Sequence, residues 1–371
     1  MPYSLTHLLQ ITKNPFLIRK LIFETRKILE SLSQPIRIME FCGGHTHSLL
    51  KYGIDELFKP VLEFLHGPGC PVCVLSLERL EMALEIARNK EVLFLSYGDL
   101  LRVPNARGES LLTLRALGFN VKMISNAMEV LTLAKGNPKK LVVFFAIGFE
   151  TTAPATAFLL EQTKREKITN LKIISNHLLT PPVLDYLFST SGVYVDGIIG
   201  PGHVSTIVGA KAYEMVAKKF GLPMVIAGFE PLDLLEAIYL LVKMILERRS
   251  GVEIAYKRVV NYEGNLKAQQ LLKKVFEERD FSWRGLGKVP ISGLALRSEY
   301  REWDGETLWK EPFIQEIYKG CICSKILQGK AKPTDCKLYG KNCTPHFPIG
   351  PCMVSSEGAC LAYFKYKEAA L

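Results

Sequence analysis

From residue 36 to 229 the chain repeats one unit: a short apolar run, a glycine-bearing loop, then an amphipathic stretch. The apolar runs fall at 36–41, 62–66, 92–95, 121–125, 141–147, 171–175, 197–199 and 224–227. Runs this short and this apolar predict strands buried on both faces, as in a parallel sheet. Amphipathic stretches at 77–88, 152–160, 204–220 and 232–247 predict helices between those strands. Strands alternating with helices are the βαβ pattern, so the expected class is α/β.

The unit also echoes itself. His66-Gly67-Pro68-Gly69-Cys70 returns as Gly200-Pro201-Gly202-His203, and Leu95-Ser96-Tyr97-Gly98-Asp99 as Ile226-Ala227-Gly228-Phe229-Glu230. The echo predicts two similar parallel-sheet lobes, at 36–134 and 135–250. Beyond about residue 249 the texture changes. A strand is expected at 252–260 and a helix at 266–279, followed by irregular chain bearing glycine and tryptophan. The first 34 residues read as helices without a sheet of their own, packing on the tail or on the first lobe. Residues 1–35 and 251–371 therefore form a third, mixed helical and irregular domain.

At 371 residues the chain exceeds one comfortable core, which agrees with several domains. Apolar residues make up 48% and charged residues 23%, an ordinary globular profile. No run approaches the roughly 18 apolar residues of a membrane span, and the N-terminus does not read as a signal peptide. The expected location is cytoplasmic, where clustered cysteines bind metal or do redox chemistry more often than they form structural disulfides. The formal charge of +10 is scattered as pairs such as Lys139-Lys140 and Arg248-Arg249, with no arginine-rich run, so no nucleic-acid partner is expected. An acidic protein partner would use the same charge.

The chemistry lies in nine cysteines placed at two poles, with none between Val74 and Gly320. Open parallel sheets build sites in the loops at the carboxyl ends of their strands. Cys42-Gly43-Gly44-His45-Thr46-His47 follows the first predicted strand, with two glycines that let the backbone approach a ligand. Gly67-Pro68-Gly69-Cys70-Pro71-Val72-Cys73 places a C-x-x-C at a predicted strand-to-helix junction. A helix N-terminus there would favour a thiolate. The spacing suits a reversible disulfide as well as two metal ligands, and Cys42 with His45 could complete a zinc site. Gly148-Phe149-Glu150-Thr151-Thr152 closes another strand; helix capping explains its threonines but not Glu150. Asn176-His177 and Gly202-His203 add polar groups at further strand ends, suited to positioning or acid–base roles.

Six cysteines crowd the tail: Cys321, Cys323, Cys336, Cys343, Cys352 and Cys360. No C-x2-C pair occurs among them, so zinc ribbons and bacterial ferredoxin spacing match poorly. Four dispersed thiols still suffice for a [4Fe–4S] cluster, and spacing alone does not choose four of the six. With seven lysines against three acidic residues over 321–371 and little apolar periodicity, this segment is expected to need a metal staple.

Taken together, the Cys42, C-x-x-C and Glu150 loops resemble the signature of the HypD family of [NiFe]-hydrogenase maturation proteins. So do Cys343-Thr344-Pro345 and Pro348-Ile349-Gly350-Pro351-Cys352-Met353-Val354-Ser355-Ser356-Glu357-Gly358-Ala359-Cys360. The resemblance runs from about Met39 to the C-terminus. It implies two similar α/β lobes plus a domain carrying a [4Fe–4S] cluster. It also implies a scaffold on which an Fe(II) with CN and CO ligands, the Fe(CN)2CO group, is assembled. HypC would lend a cysteine and HypE would deliver cyanide from a thiocyanate, the chain being a monomer on its own. On this resemblance Cys42 is the iron-binding thiolate with His45 beside it, Cys70 and Cys73 are the redox pair, and Glu150 belongs to the catalytic set. The cluster ligands carried over are Cys323, Cys336, Cys343 and Cys360. Cys323-Ser324-Lys325 departs from the Cys-Gly-Glu of many relatives, and Cys321 lies two residues away as a substitute. The alternative is a thiol–disulfide oxidoreductase with a structural metal site.

Overall fold

A computed structural model of the protein describes residues 14–309 and 318–367. In chain order the strands are β1 (Ile36–Glu40), β2 (Leu62–His66), β3 (Val92–Tyr97), β4 (Val121–Ile124), β5 (Leu141–Gly148), β6 (Leu171–His177), β7 (Gly197–Gly200), β8 (Pro223–Ile226), β9 (Gly251–Ile254), β10 (Phe276–Trp283) and β11 (Gly287–Leu296). The first eight match the eight apolar runs. Two sheets are wholly parallel, one ordered β2-β1-β7-β8-β9 and the other β4-β3-β5-β6. β10 and β11 form an antiparallel hairpin.

Sheet membership overturns the expected split at residue 134. β3 pairs with both β4 and β5, so that boundary falls inside the second sheet. The five-stranded sheet instead joins β1 and β2 to β7, β8 and β9, with the other sheet inserted between them in sequence. The Gly-Pro-Gly echo ends β2 and β7, two strands of one sheet that flank β1, so it does not map one lobe onto the other. Parallel pairing is fixed by crossover packing, which a local repeat does not report.

Burial explains the strand types. Every residue of β5 from Val142 onward is buried, as befits a strand with neighbours on both sides. β4 is an edge and exposes Lys122 and Met123 at its centre. The edge of β6 is covered where Gly305 donates its N–H to Ile173 O at 2.9 Å.

The third region is not one unit. Helix Pro15–Glu30, capped by Asn14, lays Ile18, Leu21, Ile22 and Leu29 against helix Pro231–Leu246. Neither site foreseen for this helix is its main partner: Pro231–Leu246 lies in the stretch expected as the second lobe, and the first lobe is touched where Arg26 donates to Leu57 O; residues 1–13 lie outside those described. Only the start of the strand expected at 252–260 forms: β9 ends at Ile254, as the outer strand of the five-stranded sheet, and 255–260 is turn. The helix expected at 266–279 ends at Val275, and the chain called irregular is the hairpin. A bulge between Arg279 and Phe281 breaks the two-residue alternation that would have marked it as a strand. The predicted helix at 204–220 is two, Gly202–Val208 and Lys211–Phe220. They part at Gly209, whose φ of 76° and contact with the Tyr262 carbonyl leave no room for a Cβ. No described helix is long and apolar enough to cross a membrane.

Candidate functional site

The carboxyl ends of strands from both sheets open on one cleft of about 440 Å³. Its walls include Cys42 after β1, Pro71 and Val72 after β2, Asp99 after β3, Phe149 and Thr151 after β5, and His203 after β7. Ser355 and Glu357 reach in from the tail. Cys42 is buried at the N-cap of helix Gly43–Lys51. A Cβ on Gly43 would collide with the backbone carbonyl of Glu357, so the glycine lets the tail close over this loop. Burial first, then the nearby Glu357, pushes the Cys42 thiol well up. Burial, then Asp99, raises the Glu357 carboxyl to about 7.

Beneath Cys42 lies a hub that the sequence reading missed. The Glu40 carboxylate accepts from Cys42 N at 2.9 Å and from the Thr46 hydroxyl, and pairs with His66 Nδ1 at 2.8 Å. The other His66 nitrogen, Nε2, lies 3.2 Å from the Tyr363 hydroxyl. His47 Nε2 likewise meets Tyr366 OH at 2.9 Å. Helix Ala359–Tyr366 is thereby locked to the Cys42 loop. The signal was present: Glu40 is an acid closing a run of buried apolar residues, and such an acid needs partners.

His45 is fully buried and does not line the cleft. Its Nε2–H donates to Ala227 O at 3.1 Å, its ring stacks on Phe229, and Nδ1 has no partner among the described residues. His203, which does line the cleft, stacks on Phe229 at 3.9 Å. Burial holds His45 down at about 4, so it is neutral. His177 is also buried, and it pairs with the Thr156 hydroxyl at 2.9 Å.

Cys70 and Cys73 are joined as a disulfide, with Cα atoms 5.2 Å apart. Both are buried; Pro71 and Val72 between them face the cleft. The loop is pressed onto Cys42: Gly43 donates to Gly69 O at 3.1 Å, and a Cβ on Gly69 would stand 2.6 Å from Cys42 N. The helix after Cys70 spans only Pro71–Val74. Four peptide dipoles make little field, so the helix-terminus argument for an activated thiolate does not hold here.

Glu150 also turns from the cleft. Its carboxylate accepts from Thr180 N at 2.6 Å and Thr180 Oγ1 at 2.9 Å, tying its loop to helix Thr180–Thr190. Burial raises its carboxyl from the usual 4.5 to about 7 despite those bonds. Below pH 4.5 folded and unfolded chains both hold this proton, and no stability is lost. Between pH 4.5 and 7 the unfolded chain ionises first, so stability falls by about 3 kcal/mol and then levels off. Glu150→Gln should remove that part of the decline in urea midpoints measured from pH 4.5 to 8. An unchanged slope would mean that the carboxyl ionises normally.

All six tail cysteines line one pocket, closed otherwise by Ile326, Leu338, Tyr339, Gly350 and Met353. It holds about 10 Å³, roughly one water. Ile349 donates its N–H to Cys343 Sγ at 3.3 Å. The neighbouring Cys323 thiol, then burial, pushes Cys321 well up; burial, then the surrounding thiols, does the same to Cys360. Arg284 acts against the rise at Cys321, Cys323 and Cys352. Among the described residues no three His, Cys, Asp or Glu side chains are grouped to hold a single ion. Six soft sulfurs with a backbone N–H donor are the donor chemistry of a thiolate-bound cluster, in which each thiolate meets a different iron. Cys321 and Cys352 belong to this set as much as the other four do.

The tail is not self-contained. Cys323, Leu327, Cys352 and Val354 enter one buried cluster with Cys70, Cys73 and Trp283, so this core, rather than a metal alone, holds the segment in place. The two cysteine poles therefore share one core.

Residues 17–367 match the family described as HypD, the hydrogenase formation hypA family. The hydrogenase expression/formation protein HupD of Azotobacter chroococcum is 48% identical, over 89% of each chain. Hydrogenase maturation factor HypD of Escherichia coli is 42% identical over 95% of this chain and 96% of its own, and HypD2 of Bradyrhizobium diazoefficiens is 45% identical over 90% of each. The chain belongs to the HypD family of hydrogenase maturation factors.

Proposed function

We propose that this chain is the scaffold on which the Fe(CN)2CO group of a [NiFe]-hydrogenase is assembled, with HypC lending a second thiolate and HypE bringing cyanide as a thiocyanate. The observation that carries this reading is Cys42. It is a thiol on the wall of the cleft, backed by a disulfide loop pressed against its own loop. The iron and its diatomic ligands are cargo. Because burial and Glu357 keep the Cys42 sulfur protonated, taking up Fe(II) displaces that proton. Soft thiolates with strong-field cyanide and CO suit low-spin Fe(II).

Cyanide release needs electrons: R–S–CN + 2e⁻ + 2H⁺ gives R–SH + HCN. Oxidation of the Cys70 and Cys73 thiols to their disulfide yields two electrons and two protons, an equal count. A [4Fe–4S] group held by tail thiols would supply electrons singly to restore the dithiol. Cys323, Cys336, Cys343 and Cys360 are the proposed ligands, with Cys321 in reserve.

Metal and acid-labile sulfide analysis after anaerobic purification tests the cluster. About four iron and four sulfide per chain are expected; zinc without sulfide would reject it.

A further inference from the structure

His203 lines the cleft beside Cys42 and has no task there yet. It follows β7, which pairs with β1, and Phe41 N donates to Ile199 O at 3.2 Å. The loops bearing His203 and Cys42 therefore leave the sheet side by side. The His203 ring is set by Phe229, 3.9 Å away and inclined by 22°. Phe229 is itself clamped: His45 stacks on it at 4.8 Å, Tyr256 meets it edge-on, and its N–H donates to Asp233 Oδ2 at 3.1 Å. A Cβ on Gly44 would stand 2.8 Å from the Phe229 ring and 3.7 Å from Cys42 Sγ. One ring thus fixes the imidazole against the sulfur's loop. Neither nitrogen of His203 has a hydrogen-bond partner among the described residues.

An imidazole held by its face keeps the edge that carries both nitrogens for a ligand. Partial burial keeps His203 below its usual 6.5, so at pH 7 it is neutral and offers one N–H. Other polar groups on the wall suit an anion less well. Asp99 repels it, Ser355 already donates to Asp99 at 2.8 Å, and Thr152 donates to Phe149 O at 3.3 Å. We infer that the His203 N–H donates to the nitrogen of an iron-bound cyanide, so that this residue tells cyanide from CO in the cleft. The inference rests on the iron and cyanide part of the proposed function and adds to it a residue that touches the cargo. Bound cyanide is negative and keeps a lone pair on nitrogen, which makes a charge-assisted acceptor. The oxygen of bound CO is a poor acceptor and gains little from the same donor.

The test is infrared spectroscopy of the full chain isolated anaerobically with the proposed HypC partner, read at the cyanide and CO stretches and compared at equal iron. His203→Phe keeps a ring to lie on Phe229 but has no N–H. A hydrogen bond at cyanide nitrogen raises the stretching frequency, so one cyanide band of this variant should fall by more than its own width. Iron content should be unchanged and the CO band should move less. His203→Gln restores a donor and should bring that cyanide band back toward the parent position. A Phe variant with unmoved cyanide bands overturns the inference. So does a Gln variant that matches Phe, or a Phe variant that loses its iron, since His203 would then hold the metal or the fold rather than the cyanide. A parent chain that carries iron without cyanide or CO bands defeats the underlying reading instead, and the parent spectrum alone tells that case apart.

Discussion

On the proposed function, replacing Cys42 with alanine abolishes iron retention in the cleft while leaving the iron and sulfide proposed for the tail in place. Altering a partner of a metal ligand already costs on the order of 10–100-fold in affinity, and removing the ligand itself costs more. The prediction is selective because of where the sulfur sits. Cys42 lines the cleft, whereas the six tail thiols line a separate pocket behind the C-x-x-C turn. Iron in excess of acid-labile sulfide, measured on the chain isolated with the proposed HypC partner, reports the first site, and acid-labile sulfide reports the second. Loss of both signals together would make Cys42 a structural residue and defeat the proposed role.

Glu40→Ala should be the most damaging substitution outside the cysteines. It leaves three groups without their acceptor: Cys42 N, the Thr46 hydroxyl and His66 Nδ1. A buried donor left unpaired costs about 1–3 kcal/mol, so a loss on the order of 3–5 kcal/mol is expected from urea unfolding. The damage should also spread to the tail, because His66 is what holds Tyr363. Faster amide exchange in helix Ala359–Tyr366 is the second readout. A loss under about 1 kcal/mol would mean that water replaces the carboxylate freely.

Much of this was legible in the sequence, for physical reasons that also set its limits. Parallel strands buried on both faces must be continuous apolar runs, and the central strands such as β5 showed themselves that way, while the edge strand β4 stood out by its flanking Val121 and Ile124. Their order did not, because β1 finds β7 across 156 intervening residues, from 41 to 196, and no local pattern encodes that pairing. The bulge hid the hairpin. Cys42, Cys70 and Cys73 stood out by chemistry and glycine spacing, and their loops do meet. Glu40, His66 and Tyr363 did not, since a hub joining residues 26 and 297 positions apart has no spacing to read. Glu150 drew attention as an unexplained acid, and its explanation is Thr180, thirty residues away.

The interleaved sheets also set an order of events at the ribosome. β3 to β6 are contiguous in sequence and can close their sheet as soon as they emerge, whereas β1 and β2 wait for β7, β8 and β9. At 5–20 residues per second, the stretch from Cys73 to Ile254 takes roughly 10–40 seconds to make. For that interval the newborn Cys42, Cys70 and Cys73 lack the strands that will bury them, and the last tail cysteine follows only at residue 360. A chain wired in this way meets cellular metal and oxidants as loose thiols before it meets them as a site.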